Sequence, residues 1–339
     1  MAAVGRISGP EWQRYPDPAT EFEIVRLTDP AFASGLTAPH LRQFHRRFDA
    51  LLYWSEREGA RQAYLLDLRA GDSKQLTDVA QLDPSSLSLA PDERAAVYFD
   101  GSALCETSLT GSLATRSIYK VESGAPRTGI TVASDGSILF AEGERLVRVA
   151  RQKSTYSSTS PLRETTPIDL VLARPRRPQV AYRAGGAVYI CGLDGSNRRR
   201  LALETGNTGE ILWSPDGRTL LYLHIPDDVH ELVALREHVP EDNSDHLISR
   251  TSQFASVSAN ADASVFVGAS RSRASAYVLL LLRVTRRELT LCEHRSSEPS
   301  KVSPIFSPDS QSVFFVSDRH GKSALYRVHV ERFVEETNG

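Results

Sequence analysis

Side chains able to bind or polarise a small molecule recur at one place in a repeated unit of this chain. They are His40 and Gln43, Arg127, Glu210, Gln253, and Lys301 with Ser303. Each stands six to nine residues before the aspartate position of a recurring turn. Groups so far apart in sequence act together only if a fold brings them to one mouth. Small-molecule and metal sites favour such convergence. Channel mouths are also solvated, so polar residues belong there in any case.

The turn that sets this register reads Ser214-Pro215-Asp216-Gly217 in its fullest form. Weaker copies are Ala90-Pro91-Asp92-Glu93, Ala133-Ser134-Asp135-Gly136 and Ser307-Pro308-Asp309-Ser310. Degraded ones are Arg46-Arg47-Phe48-Asp49, Arg174-Pro175-Arg176-Arg177 and Asn260-Ala261-Asp262-Ala263. Counted from the aspartate position, the intervals are 43, 43, 41, 40, 46 and 47 residues. Each unit carries short β-branched and aromatic runs separated by turns, as in the last unit, where Ser312 to Ser317 and Ala324 to Val330 are joined by Asp318-Arg319-His320-Gly321. A period of roughly 40–50 residues with several strands per unit predicts an all-β fold, a seven-bladed β-propeller. In that fold the inner strand of each blade runs along the channel, which places the residues named above at one mouth.

Closure is read from two unmatched ends. Arg26-Leu27-Thr28-Asp29 copies the first unit's ending, Gln75-Leu76-Thr77-Asp78, before any complete unit, while the last unit runs out near Val330. The segment 21–29 is therefore expected to close the last blade, removing two open sheet edges. The expected organisation is one domain over 1–339. It has an extension at 1–20, the closing strand at 21–29, and blades near 40–78, 79–120, 121–162, 163–203, 204–250, 251–297 and 298–330.

A formal net charge of -2 and a pI near 6.5 speak against nucleic acid as a partner. Cys105, Cys191 and Cys292 lack metal-like spacing and read as buried thiols of a reducing compartment. The first residues carry no apolar core of a secretory signal, and the longest apolar run, Ala276 to Leu282, is too short to span a bilayer. A cytoplasmic protein without membrane contact is the expectation. His224, His230, His238 and His246 fit no metal-pair spacing and read as a long exposed loop. There is no Gly-x-Ser-x-Gly elbow and no phosphate-binding loop, and Gly185-Gly186 reads as a hairpin turn. Arg198-Arg199-Arg200 reads as a solvated edge, and Arg174, Arg176 and Arg177 as surface.

The order of features resembles the oligogalacturonate lyases, propellers related in blade sequence to the TolB C-terminal domain and to WD40-like repeats. The resemblance rests on Tyr15-Pro16-Asp17-Pro18-Ala19-Thr20, Val25-Arg26-Leu27-Thr28-Asp29, His40-Leu41, Tyr64-Leu65-Leu66-Asp67-Leu68 and Pro304-Ile305-Phe306-Ser307-Pro308-Asp309. It implies β-elimination of short galacturonides in pectin degradation. A manganese-type ion held by three histidines and a glutamine acidifies the C5 proton, and an arginine removes it. By position Arg236 is the best match for that base and Arg250 the second. Where the family carries His-Pro-His-Pro, this chain has Lys301-Val302-Ser303-Pro304, and Ser252-Gln253-Phe254-Ala255-Ser256 lacks the sixth-blade histidine. Gln253 and Glu298 are the replacement metal ligands on offer, and Lys301 would bring a positive charge of its own to catalysis. The expected substrate ligands at the mouth are His40, Gln43, Arg127 and Glu210, facing an acidic oligosaccharide or another small ligand. Two functions follow: a lyase with a degraded metal site, or a non-catalytic TolB-like propeller holding a ligand or a protein partner.

Overall fold

The repeated turn owes its shape to its aspartate. In five copies Oδ1 accepts the backbone N–H two residues on: Asp92 from Arg94, Asp135 from Ser137, Asp216 from Arg218, Asp262 from Ser264 and Asp309 from Gln311, at 2.9–3.1 Å. The residue between is left-handed, with φ of 56° at Glu93, 83° at Gly136, 71° at Gly217, 58° at Ala263 and 61° at Ser310. Asp supplies the local acceptor and the next position tolerates glycine best, which explains the sequence signature. In the Arg46 copy the left-handed residue is Asp49 itself (φ 47°), closed by its N–H on the Arg46 carbonyl. Asp49 thus stands where Gly217 stands, one place later than the sequence reading put it.

The computed structural model describes residues 4–330 apart from Phe48, residues 123–125, Ser154, Val229, residues 252–253 and Arg273. The chain is an all-β, seven-bladed β-propeller, and among the described residues the one helical element is the 3-10 turn Pro299–Lys301. Packing divides the chain into two compact units. The first is built on residues up to Ser8, His40–Asp67 and Ser73–Leu201, the second on Gly9–Pro39, Leu68–Asp72 and the chain from Ala202 onward.

The first unit holds blades one to four. Blade one runs Phe44–His45, Ala50–Ser55, Gln62–Asp67 and Ser73–Gln75, and Ile7–Ser8 adds a short strand beside Ser73 and Lys74. Blade two is Leu82–Leu89, Ala95–Asp100, Ala103–Ser108 and Thr115–Lys120. Blade three is Thr131–Val132, Ile138–Glu142, Arg145–Gln152 and Thr155–Arg163, and blade four is Ile168–Ala173, Gln179–Ala184, Ala187–Gly192 and Arg199–Arg200. Every pairing is antiparallel. Second strands such as Ile138–Glu142 are buried throughout, because the faces of each blade pack on its neighbours.

The second unit holds blades five to seven. Blade five is Asn207–Trp213, Leu220–Ile225, Ala234–Val239 and Ser244–Arg250; blade six is Phe254–Ala259, Val265–Ser270, Tyr277–Leu282 and Arg287–Glu293. Blade seven is Ile305–Phe306, Ser312–Ser317 and Ala324–His329, completed by Glu23–Arg26. Ile24 faces Val328, Val25 faces Arg327 and Arg26 faces Tyr326, so the expected closure by the N-terminal strand is present. Gln13–Pro16 then adds a fifth strand outside it.

Three readings change. Part of the stretch taken as a plain extension is built into sheets, as Ile7–Ser8 and Gln13–Pro16. Arg174, read as surface, is 1 % exposed, and its Nη1 donates to Gln179 Oε1 at 2.7 Å. The four histidines are not one loop: His224, His238 and His246 lie on three consecutive strands, His238 fully buried.

Candidate functional site

In the first unit the segment entering blade three carries two of the nominated residues' contacts. Half-buried His40 has Nε2 3.2 Å from the carbonyl of Ile130. A carbonyl only accepts, so Nε2 bears the proton and Nδ1 is the free acceptor. Burial lowers the imidazole pKa, opposed in part by that backbone bond, so His40 is neutral at neutral pH. Arg127 begins the same segment. Its Nη1 donates to Asp83 Oδ2 at 2.6 Å, its Nη2 to the Gly101 carbonyl at 3.2 Å, and its guanidinium lies 3.9 Å from the Phe99 ring centroid. Between them Gly129 approaches the Ser85 carbonyl so closely that a Cβ would overlap it. Gln43 is buried, and its carbonyl accepts the Leu52 N–H. Arg127 is thus a clamp between blades two and three, its charge balanced by Asp83.

In the second unit Glu210 sits on the inner strand of blade five, and its Oε2 accepts the Val257 N–H from the inner strand of blade six at 2.7 Å. Burial pushes its carboxyl up to about 7, against the pull of that N–H. Glu298 and Lys301 stand together at the 3-10 turn before blade seven. The ammonium lies 2.9 Å from Oε1 and 2.8 Å from Oε2 of Glu298, with both side chains exposed. Gln253 lies outside the described residues.

Arg236 is elsewhere. It stands on the third strand of blade five, opposite Tyr222 and Leu247. Its Nε donates to Asp245 Oδ1 at 2.6 Å, and its Nη2 lies 2.9 Å from Glu204 Oε2. Burial alone would lower its pKa, but the hydrogen bond and charge of Asp245 outweigh burial and hold it above the ordinary arginine value.

Arg236 lines a cavity of about 350 Å³ with Glu204, Thr205, His224, Asp227, Asp228, Glu231 and Arg250, over aliphatic patches from Leu232 and Leu247. Glu210, Glu298 and Lys301 do not line it. His224 Nε2 donates to the Thr205 carbonyl at 2.7 Å, which fixes the rim. The four lining carboxylates outnumber the two guanidiniums, so the cavity favours positive or neutral ligands. Sequence reasoning passed over Asp227, Asp228 and Glu231, although the run Pro226-Asp227-Asp228 was the available signal.

The described residues do not group to hold a manganese ion. Both oxygens of Glu298 are engaged by Lys301, and among the described residues no three His, Cys, Asp or Glu side chains are grouped to hold a metal. An ion at Glu298 would sit against the ammonium, a like-charge contact that opposes binding.

No family model matches the sequence. An oligogalacturonide lyase of Pectobacterium atrosepticum is 24% identical over 370 residues, covering 93% of this chain and 95% of its own length. An oligogalacturonate lyase of Dickeya dadantii is 23% identical over 384 residues, covering 97% and 98%. Among solved structures, an oligogalacturonate lyase in complex with manganese superposes with a TM-score of 0.88 at 22% identity, over 98% of this chain and 100% of that one. The resemblance drawn from the N-terminal block and the blade turns thus extends to the fold along the whole chain, an oligogalacturonate-lyase-like seven-bladed β-propeller.

Proposed function

We propose that this chain is a saccharide-binding propeller that holds a neutral or basic sugar without metal-assisted elimination. The state of Arg236 carries the reading. A base that removes a carbon-bound proton must spend time deprotonated, and Asp245 drives this arginine the other way. Lys301 supports the same conclusion, since its charge is shared with Glu298. The cavity around Arg236 offers carboxylates to sugar hydroxyls. Leu232 and Leu247, 50% and 38% exposed, offer apolar surface to the C–H faces of a ring. A uronate would meet four carboxylates there. That the ligand is a saccharide rests on the likeness to lyases of oligogalacturonate over nearly the whole chain.

That whole-length likeness also favours a second reading, a lyase acting on short galacturonides or a related acidic saccharide. One experiment separates the two. Digalacturonate and the corresponding neutral galactose disaccharide are titrated calorimetrically, and the digalacturonate samples, with and without manganese, are followed for the ultraviolet absorbance of an unsaturated uronide. The expected result is binding of the neutral sugar and no new absorbance. A rise in absorbance that Arg236→Lys abolishes would return the lyase reading, and no binding of the neutral sugar would overturn the proposal.

A further inference from the structure

A second cavity, of about 380 Å³, lies wholly within the first unit where blade two meets blade three, and three arginines from three elements reach it. Arg94 comes from the turn before Ala95–Asp100, Arg116 from Thr115–Lys120 and Arg151 from Arg145–Gln152. The one buried carboxylate there, Glu106, is already satisfied. It accepts Arg116 Nε at 2.7 Å and the Tyr156 hydroxyl at 2.9 Å, while the Arg116 guanidinium lies 5.1 Å from the Tyr156 ring centroid. Tyr156 and Arg151 are opposed in the register of Arg145–Gln152 and Thr155–Arg163, so both face blade two.

Arg94 and Arg151 are left over. The backbone of Arg94 is fixed at both ends, its N–H on Asp92 Oδ1 at 3.1 Å and its carbonyl on the Leu109 N–H at 2.9 Å, but no carboxylate among the described residues pairs with its guanidinium. Arg151 spends only Nε, on the Lys153 carbonyl at 3.2 Å. Ser108, whose hydroxyl donates to the Thr110 carbonyl at 3.0 Å, lines the same space, and Asp92 is the remaining carboxylate. Three guanidiniums against two carboxylates leave a positive surplus, with two planar forks presented to one volume of small-ligand size.

We propose that this inter-blade cavity binds a phosphoryl dianion, held by the forks of Arg94 and Arg151 with Arg116 and Ser108 beside it. Guanidinium forks match tetrahedral oxyanions bidentately, and two of them suit two negative charges better than one. The site belongs to the first unit alone and does not depend on what the blade-five cavity binds.

The test uses the full chain and inorganic phosphate as the probe. Calorimetric titration is expected to show saturable binding that sulfate competes away and acetate at equal ionic strength does not. Arg94→Ala with Arg151→Ala should weaken it by about tenfold or more. The phosphate-free melting temperature should stay the same, because neither side chain is packed. Arg218→Ala removes a positive charge from an exposed site outside the cavity and should leave binding unchanged. The single variants Arg94→Gln and Arg151→Gln, which keep a polar side chain, should each show part of the loss. Absence of saturation in the wild type, equal competition by acetate, or an equal loss in Arg218→Ala would each overturn the site.

Discussion

Glu210 shows how a single residue can carry a pH dependence of its own. Its carboxyl bridges the inner strands of blades five and six through the Val257 N–H, and burial raises its pKa to about 7 from 4.5 in the unfolded chain. A carboxyl raised on folding binds its proton more tightly in the native state. The stabilisation is therefore complete below about pH 4.5 and is lost as pH rises through about 7. The shift bounds the effect at roughly 3–4 kcal/mol. Glu210→Gln keeps an acceptor for Val257 and removes the titration. Urea midpoints from pH 5 to 8 should fall with pH in the wild type relative to the variant, and parallel curves would show that Glu210 does not titrate in this window. His40 and Arg127 stood out in the sequence by their spacing before the repeated turn. What one sequence could not show is that Asp83, 44 positions away, claims the Arg127 charge.

At the scale of elements, the repeat was legible because its turn is local chemistry: an aspartate, an N–H two residues on, and a left-handed residue between. Where the chemistry degrades, register slips, as at Asp49. In the Arg174 copy Pro175 is followed by Arg176 at φ 59°, the arrangement of a type II turn, which prefers glycine at that position. Arg176 is exposed, so Arg176→Gly should raise stability by about 0.5–1 kcal/mol, read as a higher melting temperature. Blade six shows the reverse case. Six residues after the turn aspartate position, four second strands carry Tyr98, Tyr182, Tyr222 and Phe315, whereas blade three has Ala141 and blade six has Gly268. The Phe254 ring fills that space, and a Cβ on Gly268 would overlap it. Both residues are buried in rigid sheet, so Gly268→Ala should cost about 1–3 kcal/mol; a variant melting like the wild type would mean that the ring moves aside freely. The strands Ile7–Ser8 and Gln13–Pro16 escaped the sequence reading because they are short, lie in a proline-rich stretch without alternation, and pair with partners more than sixty residues away or with the strand just inside them.

For the molecule as a whole, the two N-terminal additions make unequal demands, and truncation separates them. Ile7–Ser8 pairs along the edge of blade one, and Ile7 is 63% exposed, so removing residues 1–9 takes from the core only the partly buried Val4 among the described residues. The stretch from Gln13 to Leu27 is different. Asp17 is buried, its Oδ1 accepting the N–H groups of Ala19 and Thr20 and its Oδ2 that of Glu293 in blade six. Ile24, Val25 and Leu27 are at most 1% exposed, and Ile24 belongs to the core that also holds Val313, Phe315, Tyr326 and Val328. Three such side chains at roughly 1.5–3 kcal/mol each approach the whole stability of a typical domain, roughly 5–15 kcal/mol. Their loss would also bare the Ala324–His329 strand as an open edge. A chain lacking residues 1–9 should stay soluble and melt within a few degrees of the full chain, whereas one lacking residues 1–29 should aggregate or show no cooperative transition. A peptide spanning residues 10–29 added during refolding should restore soluble protein, because it supplies both the missing strand and the Asp17 cap. If the longer truncation melts like the intact chain, the pairing of Glu23–Arg26 with Ala324–His329 does not hold the propeller closed.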